Sequence, residues 1–546
     1  MTLSPDTFPP REPSAAMLRA LFAGFVVLHI AVWTALPLAF TDALPVDVVE
    51  GVIWGQGWQL GYDQPPLQAW LLGSANWLFD YQRWAVYLLS QLLVAISVWA
   101  VWRLGRWIVS PLGALVSVLL LEGVLFFNLV TPNLFPDLIE MPLWALAAWS
   151  FYRALRFGLL KDWAILGVLL AATAYGKYVG AVLAAVMVGF MLAEPYARRC
   201  WRTPGPYLCA GLCVLLLVPH LWWGLQHDFP TIERFHESAK PTDGVLHHLL
   251  AFAGFTGGQL AIVLPAALLT IALVGFRRGA PRLSLRGAPT PFDRRFVATL
   301  ALGPFLVTVL AAALTTLNFR VHWGQAMWCL SGLFTVVFLV PTADRAGLRR
   351  FGGVWAGLFL VIALVYAGSN SSVSYVRSLG FPVLAEGSEA EHVMYRMQRE
   401  ADYPAQDLAD AVTNRWHEKV GDRLAYVVGN KWVAGNIAFF SPDHPLVVRD
   451  GRPEDSPWID AETLRRRGAV IVWDLGHDSN GISATLQRRF PMMELQPPLA
   501  LPWKTDAKVP PVRIMWGIVY PSEASGLSPS VPAEGPYKGG ILVRPK

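Results

Sequence analysis

Charge is what this sequence has least of. Only 15% of its 546 residues are Asp, Glu, Lys or Arg, against about 25% in an average soluble domain. With 54% apolar residues and 24 tryptophans, the composition is that of a membrane protein. Cysteine is almost as scarce. The four, Cys200, Cys209, Cys213 and Cys329, lie in or beside apolar runs. Their spacing offers neither a metal knuckle nor a disulfide framework, and Cys209 and Cys213, sharing a helix face, read as small core-filling residues. The polar part after residue 370 has none, so folding outside the cytoplasm would need no oxidation. Histidines at ligand spacing are also lacking, which leaves a divalent metal possible in principle but unsupported by any pattern. The net charge of +5 does not imply nucleic acid, because the basic residues sit in short loops between apolar runs, where they set topology.

Long apolar runs are abundant. A spanning helix needs about 20 mostly apolar residues, and on that rule spans are expected at 17–40, 82–104, 107–129, 135–155, 162–176, 178–194, 205–225, 247–276, 295–317, 325–341 and 351–369. That makes about 11 spans. The 247–276 run is long enough for a break near Pro265, and 67–79 is apolar but short, as in a helix lying at the membrane interface. The first run, about 24 residues from Met17 to Phe40, suits an uncleaved span better than a signal peptide.

Alternate loops differ in charge. One set holds Arg103 and Arg106; Arg153, Arg156 and Lys161; Arg198, Arg199 and Arg202; Arg277, Arg278, Arg282, Arg286, Arg294 and Arg295; and Arg345, Arg349 and Arg350. These are cytoplasmic by the positive-inside rule, as is the N-terminus. The other set, 41–66, 130–134, 226–246 and 318–324, is poor in cations and holds Asp42, Asp47, Glu50, Asp63, Asp228, Glu233 and Glu237. It faces outward. An odd number of spans then puts the C-terminal part outside as well, and two domains are expected: a transmembrane domain over 1–370 and an extracytoplasmic small α/β domain over 371–546. Its strands are read at "RLAYVVGN", "GAVIVWDLG" and "VRIMWGIVYP", with helical stretches at 389–420 and 460–467. From about Ser522 the chain turns rich in Pro, Gly and Ser and reads as loosely ordered. The fold class is thus a polytopic α-helical membrane protein with a C-terminal extracytoplasmic α/β domain.

Charged groups at membrane depth are functional candidates by default. Asp137 and Glu140, in "TPNLFPDLIEMPLW", are spaced i,i+3 on one face of the fourth span, after Pro136 at a first-turn position. The helix dipole accounts for an acid in the first turn but not for Glu140 a turn deeper. Lys177 falls between two apolar spans on the outward side and is either a snorkelling anchor or a partner for phosphate or carboxylate. Arg320, His322 and Trp323 share another outward loop, and His220, His227, Asp228, Arg234 and His236 a further one. Carboxylates on one side and scattered cations and aromatics on the other suit a reaction with a carboxylate base and an anionic leaving group.

The stretch "WGQGWQLGYDQPPLQAW" follows Asp47-Val48 and contains Gln56, Gly61, Tyr62, Pro65, Pro66 and Leu67. In order and spacing this resembles the GT-C membrane glycosyltransferases, the superfamily of dolichyl-phosphate-mannose protein mannosyltransferases and bacterial aminoarabinose transferases. Members show an Asp-Glu pair after the first span, then Trp-x-Gln, then Gly-Tyr-x-x-Pro-Pro-Leu. The likeness continues at Asp137 and Trp144, at Lys177-Tyr178, at the His-Asp-Phe-Pro run beginning at His227, and at His322-Trp323, and covers most of 17–370. Two positions depart from the pattern. The second acid of the pair is Val48, with Glu50 the candidate substitute, and Gln64 stands where many members carry Lys or His before the two prolines. A neutral Gln64 shifts phosphate neutralisation to Lys177, Arg320 and His322.

The resemblance implies a multi-pass protein of a bacterial inner membrane that transfers a sugar from a polyprenyl-phosphate donor to an acceptor hydroxyl on lipid A, another envelope glycan or a protein, at the periplasmic face. It implies Asp47 as general base with inversion at the anomeric carbon, Asp137 and Glu50 as further acids, and Tyr62, Gln64, Lys177, Tyr178, Arg320, His322 and Trp323 toward the donor phosphate. Glu140, His227 and Asp228 are candidates for acceptor or loop contacts. A transporter or flippase of a lipid-linked glycan is the alternative; it calls for acids at mid-span and symmetry between halves. A non-catalytic scaffold leaves Asp47, Asp137 and Lys177 without a role.

Overall fold

The computed structural model describes residues 13–239, 241–274, 282–378, 401–452, 455–474, 484–504 and 511–522. Arg277, Arg278, the first part of the 389–420 stretch and the chain beyond Ser522 lie outside the described residues. Contacts gather the chain into two compact units, one built from Met1–Pro37, Leu60–Gln68 and Val86–Tyr366, the other from Leu38–Gln59, Ala69–Ala85 and Ala367–Lys546.

The helices run in chain order through α1 (Ala15–Phe40), α2 (Val46–Gly55), α3 (Leu67–Phe79), α4 (Arg83–Ile108), α5 (Pro111–Leu119), α6 (Pro136–Phe157), α7 (Leu160–Gly176), α8 (Gly180–Ala193), α9 (Pro195–Arg198), α10 (Gly205–Gln226), α11 (Pro230–Ser238), α12 (Gly244–Leu273) and α13 (Pro291–Leu314), then the long helix Arg345–Ser378. Among the described residues six are long and apolar enough to cross a membrane: α1, α4, α10, α12, α13 and Arg345–Asn370. A seventh is counted if α8 and the segment after it, bent by 92°, form one broken span. The other apolar runs are shorter, interrupted or more charged. The 107–129 run becomes α5 followed by 3₁₀ turns at Leu120–Gly123 and Leu125–Phe127. The 325–341 run begins inside a 3₁₀ segment, Val321–Trp328. Pro265 does not break α12, which continues through it. One proline removes a single backbone bond, which a long helix tolerates.

Local chemistry sets several starts. Ser110 caps α5, its hydroxyl accepting from the Gly113 N–H at 3.0 Å, with Pro111 next. Thr290 and Asp293 form a capping box on α13. The same Asp293 accepts from the Tyr152 hydroxyl at 2.9 Å, so the cap also ties α13 to α6.

The second unit holds a six-stranded mixed sheet of β3 (Tyr426–Gly429), β4 (Leu446–Arg449), β5 (Ala469–Asp474), β6 (Glu494–Leu495), β7 (Leu499–Leu501) and β8 (Val512–Val519); a two-stranded pair, β1 (Arg282–Ser284) and β2 (Thr342–Asp344), belongs to the first unit. The order is β4-β3-β5-β8-β6, with β7 also on β8. β3 runs parallel to β4 and β5, and β8 antiparallel to β5. β5 is buried along its whole length, as a central strand of this type requires. The three strands expected from sequence are β3, β5 and β8.

The 41–66 stretch is more structured than a loop. Its α2 buries Val48, Val49, Val52, Ile53 and Trp54 and packs on the helix Lys431–Phe440, where Gly435 leaves room for Val49 and Ile53. The Gln56 amide fastens its end, donating to the Pro445 carbonyl at 3.0 Å and accepting from the Val447 N–H at 2.9 Å. Ten residues are too few to span a bilayer and enough to bury one face against a sheet domain.

Candidate functional site

In the first unit the candidate residues gather where α6 begins and α7 ends. Phe135 precedes α6 and Pro136 opens it, placing Asp137 in the first turn. α7 stops at Gly176, and Lys177 follows in extended conformation. Its ammonium donates to both Asp137 oxygens, at 2.6 and 2.7 Å. The Asp137 side chain is 3% exposed and that of Lys177 22%. A buried acid therefore fixes a partly open cation, and an ammonium has three donors to share. Lys177 Nζ also lies 5.3 Å from the centre of the Trp323 ring, within cation–π range. His322 meets Phe135 and Trp323 edge-on at 5.9 and 6.4 Å. Asp137, Lys177, His322 and Trp323, scattered over 187 positions of sequence, thus share one neighbourhood.

Glu140 lies one turn deeper and fully buried. Trp144 donates its indole N–H to Oε2 at 2.8 Å, while Oε1 has no hydrogen-bond partner among the described residues. Gly176 lies against that oxygen, and any side chain there would collide with it. The glycine before Lys177 is therefore what lets α7 close on the Glu140 carboxyl.

A second layer holds the 60–64 segment. Tyr178 hydrogen-bonds His220 Nε2 at 2.8 Å, and His220 Nδ1 is 2.6 Å from the Leu60 carbonyl oxygen, so the imidazole links the two. Thr231 donates to the Tyr62 carbonyl at 3.1 Å. The Trp223 ring packs where a side chain on Gly61 would be, so only glycine fits there. Tyr62 is buried, and Gln64 bonds through its carbonyl to the Tyr62 N–H.

The remaining candidates are placed differently. Arg320 is exposed, with its Nε 3.4 Å from the Ser238 carbonyl. His227 closes the end of α10, 2.8 Å from the Trp223 carbonyl and stacked on that indole at 4.5 Å. Asp228 is exposed in a left-handed turn with φ 55°. Both serve the local turn and neither joins the Asp137 cluster through a described contact. In the second unit Asp47 lies in the first turn of α2, half-buried, where a helix N-terminus favours an acid. Glu50, one turn on, pairs with Lys431 at 2.9 Å.

Lys431, His29 and Glu122 were not singled out from sequence, and Trp144 was noted there only through the family likeness, not as a partner of Glu140. Lys431 lies 381 positions from Glu50, and no local pattern marks it. Trp144 as a donor to Glu140 follows i,i+4 helix spacing and could have been found. His29 and Glu122, both buried and 3.2 Å apart, sit in the apolar first span and the interrupted third run, with Asn128 donating to the same carboxylate. Ionisable residues inside apolar runs were the available signal. Among the described residues no group of three or more His, Cys, Asp or Glu is placed to hold a metal ion.

Comparison with known proteins gives two likenesses. The model of the family described as dolichyl-phosphate-mannose-protein mannosyltransferase matches residues 63–223, the stretch that contains Tyr62's neighbour Asp63, Asp137, Lys177 and His220. The solved structure of ArnT from Cupriavidus metallidurans bound to undecaprenyl phosphate shares the fold with a TM-score of 0.55 at 12% identity, over 92% of this chain and 98% of that one. The same protein in the apo state gives 0.49 at 13% identity over the same shares. Comparison with curated proteins by sequence finds no match. In fold over most of its length, and in sequence over 63–223, this chain resembles the GT-C membrane glycosyltransferases of the mannosyltransferase and ArnT kind.

Proposed function

We propose that the protein transfers a sugar from a polyprenyl-phosphate carrier to a hydroxyl of an envelope lipid, glycan or protein, on the outer face of a bacterial inner membrane. The observation that carries this reading is the Asp137–Lys177 pair against Trp323 and His322. It offers a held ammonium beside aromatic faces, in a chain similar over residues 63–223 to the dolichyl-phosphate-mannose-protein mannosyltransferases. ArnT is bound to undecaprenyl phosphate in its structure, and a donor of that chemical class is proposed for this chain.

In the proposed reaction the acceptor oxygen attacks the anomeric carbon as its proton passes to Asp47. The bond from that carbon to the phosphate oxygen breaks with inversion, and the polyprenyl phosphate leaves with the electron pair. An ordinary carboxylate is a weak base toward a hydroxyl, so proton transfer accompanies bond formation. Lys177 would meet the charge that grows on the phosphate. Asp137 would hold the lysine in place, and His322 and the exposed Arg320 would add positive charge or hydrogen bonds. The role of Asp47 rests on its motif, Asp47 through Leu67. Glu50 is engaged by Lys431 and is proposed to anchor α2 rather than to share the base role.

Envelope lipids and glycans from cells with and without the protein, compared by mass spectrometry, test the proposal. One sugar-bearing species should disappear with the protein and return with the wild-type gene, but not with Asp47→Asn. An unchanged envelope, or full restoration by Asp47→Asn, would contradict it.

A further inference from the structure

The second unit contains a cleft of about 230 Å³ between α2 and α3, closed on one side by Leu446 of β4. Its floor lacks side chains. Gly55 and Gly73 cross there so closely that a Cβ on either would lie 2.7–2.8 Å from the other's backbone. That contact admits only glycine and leaves the cleft deeper than two ordinary helices would.

The walls are aromatic and amide-bearing. Trp58 and Trp77 line the cleft and are 65% and 81% exposed, an unusual state for indoles. Tyr81 lines it too, and one face of its ring is taken by His444, stacked at 3.9 Å. Asn76 lines the cleft while only 5% exposed, and its side-chain amide makes no hydrogen bond among the described residues. The amide atoms are not sealed from solvent; they open to the cleft, where a ligand hydroxyl can take the place of water. Among the described residues no Asp, Glu, Lys or Arg lines the cleft. A phosphate or carboxylate would find no counter-charge there.

We propose that this cleft is a subsite for a neutral sugar ring of the acceptor. The inference rests on the sugar-transfer reading for the word acceptor, but on the cleft alone for the ligand's chemistry. A pyranose presents a C–H face that packs on indole and hydroxyls that pair with an amide, which can both donate and accept. The volume lies below the ~300–1,000 Å³ of sites for drug-sized ligands, which suits one ring rather than a whole glycolipid headgroup. The competing occupant is membrane lipid. Trp77, Leu78 and Phe79 are exposed at the end of α3, as in an interfacial aromatic belt. Lipid tails account for those residues but give the Asn76 amide no partner.

The test uses the full chain in phosphatidylethanolamine/phosphatidylglycerol nanodiscs and saturation-transfer difference NMR with the methyl glycosides of mannose, glucose and N-acetylglucosamine, and with glucose 6-phosphate. At least one neutral glycoside should give a signal that weakens about tenfold in Asn76→Leu and in Trp58→Ala, with glucose 6-phosphate giving none. Trp58→Ala is at an exposed position and keeps the test alive if Asn76→Leu does not fold. No signal from any neutral glycoside, or equal signals in wild type and the folded variants, would overturn the subsite. So would strong tryptophan quenching by brominated lipid that Trp58→Ala and Trp77→Ala abolish, with no glycoside signal. Binding is read here without transfer. A chain that binds glycoside through Asn76 but transfers no sugar would sink the enzymatic reading and keep the subsite; one that transfers sugar with no Asn76-dependent binding would do the reverse.

Discussion

Two buried carboxylates in this chain are each held by a lysine, and they are held differently. Asp137 takes the Lys177 ammonium through both oxygens, 40 positions away, beside an indole and an imidazole. Glu50 takes the Lys431 ammonium at 2.9 Å, from the start of a helix that buries its apolar residues in the α/β unit. The first pair sits beside aromatic rings where the start of α6 meets the end of α7. The second fastens α2 to the element it packs on. Burial alone, 3% and 5% for the two acids, therefore does not separate the proposed phosphate-facing pair from the anchoring one; the neighbours distinguish them.

The largest effect should come from Lys177→Met. It removes the proposed charge from the leaving phosphate, and the initial rate of undecaprenyl phosphate release should fall about 10²–10³-fold, with Lys431→Met staying within about threefold of wild type per folded molecule. Equal losses in the two variants would erase the distinction. In thermal unfolding, Lys431→Met should cost about 1–3 kcal/mol, because it takes the ammonium away from a buried carboxylate, and adding Glu50→Gln should restore more than half of the lost stability. Absence of that recovery would mean that Glu50 does more than anchor α2.

A smaller effect is expected at Gly176→Ala, where the new methyl meets the Glu140 Oε1. Overpacking of this kind costs about 1–3 kcal/mol. Gly189→Ala on α8 has nothing within 4 Å of the new atom and should be neutral or slightly stabilising, as helix propensity dictates.

The smallest is a pH effect in the second unit. Burial pushes the His444 imidazole below its ordinary value, against the opposing pull of the Ala438 carbonyl and the Asp80 carboxylate. The unfolded chain then binds the proton more readily than the folded one, so stability is complete above the ordinary histidine range near pH 6.5 and declines as pH falls below it. The melting temperature should drop between pH 7 and 5.5, and less so in His444→Phe, which keeps a ring for the Tyr81 stack. An identical slope in both would remove His444 as the cause.

Much of the helical part was legible because the apolar runs are long. The 17–40 and 205–225 runs correspond to Ala15–Phe40 and Gly205–Gln226, since twenty apolar residues in a row leave few alternatives. β3, β5 and β8 were legible from their β-branched and aromatic runs. The helix α2 was not: its acids drew the eye, and its length fits neither a span nor a loop. Asp137 and Lys177 were each singled out by their cost in an apolar setting, but their pairing depends on how α6 and α7 return beside one another. Glu50–Lys431 was beyond reach, because its two halves lie at opposite ends of the chain and only the packing of α2 on the α/β unit joins them.

The most direct measurement follows label from an undecaprenyl-phosphate-linked radioactive sugar, with the full chain in nanodiscs and an envelope glycolipid extract as acceptor. Label should move to the extract with one equivalent of undecaprenyl phosphate released per sugar transferred, and Asp47→Asn, folded to the same melting temperature, should do neither. Label that stays on the carrier with wild-type protein, or moves equally well with Asp47→Asn, would contradict the proposed transfer or its base.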